Sequence, residues 1–168
     1  MKAEKSGILD VYIMVGIPGS GKTTWAARKS SEGMEHIALD EIRAGVYGKT
    51  PLHLDDRLEK IVWARAYELC VEKLEQGKSV IIDSMALTRD FRRSMMKGIE
   101  EGCNSTVRWT AVLLNTPLGI AIERNRNRDK RVLENVIREM TEHLQPPDKE
   151  EGFFNLIVVN SDEPENQL

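Results

Sequence analysis

Cysteine is scarce in this chain: Cys70 and Cys103 are too few for a zinc cage and match no redox spacing, so both are expected to be buried thiols of a reducing compartment. The three histidines, His36, His53 and His143, form no cluster, which leaves metal or nucleophilic histidine chemistry without support. Aromatic residues make up only 5% of the chain, which argues against a broad base-stacking surface for single strands but is compatible with recognition of one or two terminal nucleotides. No apolar run approaches membrane-spanning length, and the segment Met1 to Gly7 lacks the apolar core of a signal peptide; a soluble, cytoplasmic protein with no membrane partner is expected. Excess positive charge is lacking too. With 24 basic and 27 acidic side chains the formal net charge is −3, so any polyanion must be met by a local patch. No internal repeat or low-complexity linker divides the 168 residues, which predicts one domain over 1–168, long enough to bury a core and too short for a second catalytic module. The oligomeric state is left open.

What is present is decisive. Gly16-Ile-Pro-Gly19-Ser20-Gly21-Lys22-Thr23, followed by Thr24, completes G-x-x-x-x-G-K-[ST] behind the apolar run Val11–Val15 and ahead of a helix-compatible segment. The glycines permit backbone angles that turn successive N–H groups toward one anion, and the following helix adds its positive end. Lys22 would reach the β- and γ-phosphates of ATP, and the Thr23 hydroxyl would ligate Mg²⁺.

Apolar runs recur at Val11–Val15, His36–Leu39, Ser79–Ile82, Val107–Leu114 and Phe153–Val159, with helical stretches between them, which predicts an α/β layer structure with a mostly parallel sheet. The longest helix is expected over Asp55–Gln76, with Leu58, Ile61, Val62, Ala66, Leu69 and Leu74 as its core stripe and Gly77 as its stop. Others are expected from the P-loop to Ser31, over Arg89–Glu101, Leu118–Asn127 and Leu133–Leu144.

Ligands of such sheets sit beyond the carboxyl ends of the strands, which singles out Asp40 and Asp83. Asp40 and Arg43 occupy neighbouring positions of a first helical turn, where the carboxylate could accept the proton of an attacking hydroxyl and the guanidinium could hold an acceptor anion. An N-capping Asp with a solvent-facing Arg is the competing reading. Asp83 ends the strand Val80–Asp83 and suits a Mg²⁺-water ligand, or alternatively a cap for the segment starting at Ser84. Ser84, Thr88 and Arg89 could line the acceptor side. The stretch from Arg124 to Arg131 sets five cations against Asp129 and is read as a lid over about 124–135, while the residues from about 161 to 168 form an acidic tail.

Together the P-loop, Asp40-x-x-Arg43, the Asp83-Ser84 strand end, Glu123-Arg-Asn-x-Asn-Arg128 and the closing Glu151-Gly-Phe153 resemble the polynucleotide 5′-hydroxyl kinase family over nearly the whole chain. The resemblance implies a P-loop fold of the nucleoside-kinase type, with a five-stranded parallel sheet of order 2-3-1-4-5 flanked by helices. It implies transfer of the γ-phosphate of ATP to the 5′-OH end of DNA or RNA. Asp40 would be the general base, Arg43 the holder of the acceptor's phosphate, Arg128 the lid arginine, with Arg131 as its rival, and Arg124 a nucleotide contact. The chain departs from the family at Asp83-Ser84-Met85-Ala86, where a Thr-Asn pair commonly follows the serine position, and in a lid about one residue shorter. Two other readings stand beside it: a kinase for a small metabolite, an antibiotic or the amino acid on a charged tRNA, and a nucleotide-dependent binding switch without an acceptor.

Overall fold

The computed structural model describes residues 7–48 and 55–161. His53 and the acidic tail beyond Ser161 lie outside the described residues. Among the described residues, five strands alternate with six helices: β1 (Leu9–Val15), α1 (Lys22–Ser30), β2 (Glu35–Ala38), α2 (Leu39–Tyr47), α3 (Asp56–Glu75), β3 (Val80–Asp83), α4 (Arg89–Gly102), β4 (Val107–Asn115), α5 (Leu118–Arg126), α6 (Glu134–His143) and β5 (Asn155–Asn160), with a short 3₁₀ turn at Lys149–Glu151. The strands form one parallel sheet of order β2-β3-β1-β4-β5.

β1 shows why the sheet must be covered twice. Leu9, Val11, Ile13 and Val15 face a core with Val62, Ala66, Cys70 and Leu74 of α3 and Met95 and Ile99 of α4. Met14, on the opposite pleat, packs with Trp25 and Ala26 of α1 and with Ile81, Val112 and Leu114. Period-two side chains buried on both faces are what a parallel sheet between helix layers requires. A third cluster, Ile17, Ala121, Ile122 and Ile137, joins the loop after β1 to α5 and α6.

Two expectations need correction. Ile61 is 52% exposed, because the buried stripe of α3 runs through Val62, Ala66, Cys70 and Leu74 and leaves Ile61 on the outer face. Cys103 is only partly buried, at the C-terminal end of α4. Among the described residues no helix is long and apolar enough to cross a membrane.

Candidate nucleotide and acceptor site

The chain leaves β1 between its neighbours β3 and β4, on whose far sides β2 and β5 lie, and at this switch point the loop 16–21 hangs from the strand's carboxyl end. Gly19 has φ +81°, and a Cβ there would lie 2.2 Å from the carbonyl oxygen of Ala121, so only a bare backbone can pass this close to α5. Gly21, φ +99°, is the N-cap of α1, and no side chain caps that helix. The amides of its first turn and the helix dipole are thus left for an anion. Ser20 is buried, with its hydroxyl unpartnered among the described residues. Gly16 closes the loop's base by donating its N–H to the carbonyl of Met85 at 3.2 Å, which ties the P-loop to the segment after β3.

Lys22 Nζ donates to the carbonyl of Ile17 at 2.9 Å. Burial pushes its pKa down to about 8; Asp83 and Asp40 pull it upward, while Arg128 pushes it further down. Charged groups from three other segments therefore act on Lys22 at the mouth of the loop. Thr23 and Thr24 are exposed in the first turn of α1.

Asp83 is buried at the end of β3, with Oδ2 3.1 Å from Nε2 of His36. That hydrogen bond raises the His36 pKa above its ordinary value. Asp83 does not cap α4, since Thr88 is the N-cap and accepts from the Phe91 N–H. Ser84 is buried, its hydroxyl unpartnered among the described residues.

Asp40 stands in the first turn of α2 with its side chain 66% exposed, and Ala38 occupies the N-cap, so Asp40 is not the capping residue. Arg43 is not solvent-facing either. Its Nη1 donates to Asp40 Oδ1 at 2.7 Å, and its Nε and Nη2 grip Glu59 of α3 at 2.8 and 2.9 Å. The Tyr47 hydroxyl donates to the same carboxylate at 3.1 Å. The fork from Arg43 holds the Glu59 pKa below its ordinary value. Arg89 directs its guanidinium toward Asp148 and Glu151, at 3.7 and 3.8 Å.

In the arginine-rich stretch, Arg124 lies next to the P-loop: its Nη1 would be 3.9 Å from a Cβ built on Gly21. Arg126 is paired with Glu134. Arg128 is half-buried and its charge reaches Lys22, whereas Arg131 is exposed and donates from Nε to the carbonyl of Arg128 at 3.3 Å.

Sequence reasoning missed four residues around this site. Asn125 is buried and spans the lid, donating to the Val132 carbonyl at 2.7 Å and accepting from the Val132 N–H at 3.0 Å. Glu59 orients Arg43, His36 partners Asp83, and Arg92 lies wholly buried behind the β3–α4 loop. Only Asn125, inside the arginine-rich run, stood in a stretch already marked for attention.

A parallel sheet of order 2-3-1-4-5, carrying a P-loop at its switch point, is the fold of P-loop kinases. The chain belongs to the AAA domain family, whose model matches residues 11–147. It is similar to a sugar kinase from Janibacter sp. HTCC2649 (TM-score 0.68, 22% identity, covering 94% of this chain and 87% of that one). It is also similar to a fungal RNA kinase (TM-score 0.68, 18% identity, covering 98% and 80%). An L-seryl-tRNA(Sec) kinase of Methanococcus maripaludis is 27% identical over 148 residues, which are 82% of this chain and 53% of that protein. The chain thus spans about half the length of this relative.

Proposed function

We propose that this protein transfers the γ-phosphate of ATP to the 5′-hydroxyl end of DNA or RNA. The observation that carries the reading is Asp40: an exposed carboxylate, oriented by an arginine that is itself held by Glu59, within the electrostatic reach of the P-loop lysine. A pure nucleotide switch has no need of such a group.

In this reading the amides of Gly19 to Thr24 take the phosphates, and Lys22 exchanges the Ile17 carbonyl for the β- and γ-oxygens. Asp40 accepts the proton of the acceptor hydroxyl as its oxygen bonds to the γ-phosphorus in line, and the bond to the bridging oxygen breaks to release ADP. Arg128 and Arg124 neutralise the charge on the transferred group. The donor set fits Mg²⁺, with the Thr23 hydroxyl and the Asp83 carboxylate as its protein oxygens, since this ion commonly takes one or two such groups plus substrate phosphates. Bound there, it would neutralise charge on the β- and γ-oxygens.

The test is incubation with γ-labelled ATP and Mg²⁺ and with 5′-OH DNA, the matching RNA and 5′-phosphorylated controls. Label is expected on the 5′-OH ends alone. Asp40→Ala should lower turnover about 10²-fold or more with ATP binding intact. Near-normal turnover in that variant would remove Asp40 as the base. A second reading has its own observation: with all three nitrogens of Arg43 engaged by Glu59 and Asp40, a small hydroxyl acceptor without a phosphate, such as a sugar or a tRNA-borne serine, would not need to displace Glu59. Label on those acceptors and none on 5′-OH ends would select it.

A further inference from the structure

We infer that Arg92, through its buried pairing with Glu151, is the positioning residue for the acceptor-side wall of the site, the segment 84–88; this rests on the phosphotransfer reading above. Arg92 belongs to α4, yet its side chain is fully buried, as is that of Glu151. Nε and Nη2 donate to the two Glu151 oxygens at 2.7 Å each. A charge pair would be satisfied by that alone. The rest of the guanidinium does something else: Nη1 donates to the carbonyls of Ala86 at 2.9 Å, Leu87 at 3.2 Å and Gln145 at 2.9 Å. One planar fork therefore holds the backbone just after Asp83-Ser84 and joins it to the chain 59 residues downstream.

The held segment is under conformational tension. Ala86 has φ +42°, alone among the described non-glycine residues in being positive, a conformation that persists only where the surroundings impose it. Arg92 meets its carbonyl directly. One residue earlier, the Met85 carbonyl receives the N–H of Gly16, a bond that Arg92 does not touch and that holds the start of the segment, while Ala86 and Leu87 depend on the guanidinium. From the other side, the Gln145 N–H donates to the Leu87 carbonyl at 2.9 Å, and the Gln145 side chain accepts from the Arg89 N–H at 2.8 Å. Glu151 is fixed in its turn by the 3₁₀ turn: Oε1 accepts from the Asp148 N–H at 3.0 Å in a capping box. The Glu151-Gly-Phe153 element noted in the sequence thus acts on the site through Arg92 and touches no substrate itself. A lysine cannot take over, since one ammonium with three donors cannot span both carboxylate oxygens and three carbonyls.

The experiment compares wild type, Arg92→Lys and the apolar double variant Arg92→Met/Glu151→Met, chosen because replacing both members of a buried ion pair commonly preserves the fold where removing one does not. Steady-state constants for acceptor and ATP, ATP affinity by calorimetry, thermal midpoints and amide hydrogen exchange are measured for each. Exchange of the Gln145 and Arg89 amides, which donate to the Leu87 carbonyl and to the Gln145 side chain, should rise in both variants, and acceptor kcat/KM should fall by about tenfold or more while ATP affinity stays within about twofold, as expected when a wall shifts by a fraction of an ångström. The double variant should recover thermal stability without recovering the acceptor constants. Recovery of both together, or lowered stability with unchanged acceptor constants, would reduce Arg92 to a structural residue and overturn the proposal. If the wild type labels no hydroxyl acceptor, the phosphotransfer reading fails on its own. Exchange then decides the clamp itself: protection of the Gln145 and Arg89 amides unchanged in Arg92→Lys overturns it, and loss there with the β1 and β4 cores unaffected sustains it.

Discussion

Lys22 is the residue whose environment makes the sharpest demand. An ammonium with a pKa near 8 is mostly charged at neutral pH and mostly neutral above pH 9. Burial is the main cause, and the phosphates of ATP would reverse it by supplying the countercharge that Ile17 cannot. Binding then takes up a proton whenever the free site is deprotonated, so affinity must fall as pH rises through 8. For one such group the loss is roughly tenfold between pH 8 and pH 9.3. Calorimetric titration with ATP in buffers of different ionisation enthalpy measures both the affinity and the proton uptake. Lys22→Arg carries a charge that does not titrate in this range and should give a flat profile. Equal slopes in the two proteins would show that another group is responsible.

At the scale of elements, the arginine-rich loop after α5 depends on one buried amide. Asn125 bridges the last turn of α5 to Val132 with two hydrogen bonds and so fixes the loop on which Arg128 sits. Asn125→Ala leaves the half-buried N–H and carbonyl of Val132 without this partner, at a cost of about 0.5–1.5 kcal/mol for each bond lost. Its functional signature should be a kcat reduced about tenfold with acceptor KM little changed, because the loosened arginines act on the transferred group rather than on acceptor binding. Stopped-time assays at saturating acceptor separate the two, and full kcat in Asn125→Ala would detach the lid from this clasp. The same element shows what a sequence does and does not reveal. β1, the P-loop and α1 were legible because motif, pleat and helix start all lie within twenty consecutive residues. Asp40 and Asp83 were legible because strand ends can be read locally. Asn125 was invisible as an anchor, since an asparagine among arginines looks solvated until Val132 folds back on it. Arg92 beside Arg93 reads as an exposed basic pair, and only Glu151, far along the chain, makes the first buried and leaves the second outside. Ile61 failed for a related reason: apolar positions on α3 exceed the width of the stripe that α4 and the sheet cover.

Across the whole molecule, ion pairs reinforce joints that backbone ladders and core packing already make. Arg108 of β4 donates to both oxygens of Asp10 in β1, at 2.6 and 3.0 Å, and these are register partners in the parallel ladder. Glu59 fastens α3 to α2 through Arg43 and Tyr47, with both ion-pair side chains less than one fifth exposed. Its folded-state pKa lies below the ordinary 4.5, chiefly through the hydrogen bonds from Arg43. A carboxylate depressed in this way stabilises the fold fully above the unfolded value, and the contribution is lost as pH falls through the folded one. Thermal midpoints followed by circular dichroism should therefore decline as pH drops below about 4.5. Glu59→Gln keeps the shape but removes the charge, and losing charge-assisted hydrogen bonds worth about 1.5–3 kcal/mol should lower the midpoint at pH 7 by roughly 5–10 °C in a chain of this size. Because the variant has no carboxylate to protonate at this position, its acid limb should be shallower, and the two curves should converge as pH falls through the folded value of Glu59. Parallel curves would place the acid sensitivity elsewhere, and would mean that α2, with Asp40 on its first turn, is held against α3 by packing rather than by charge.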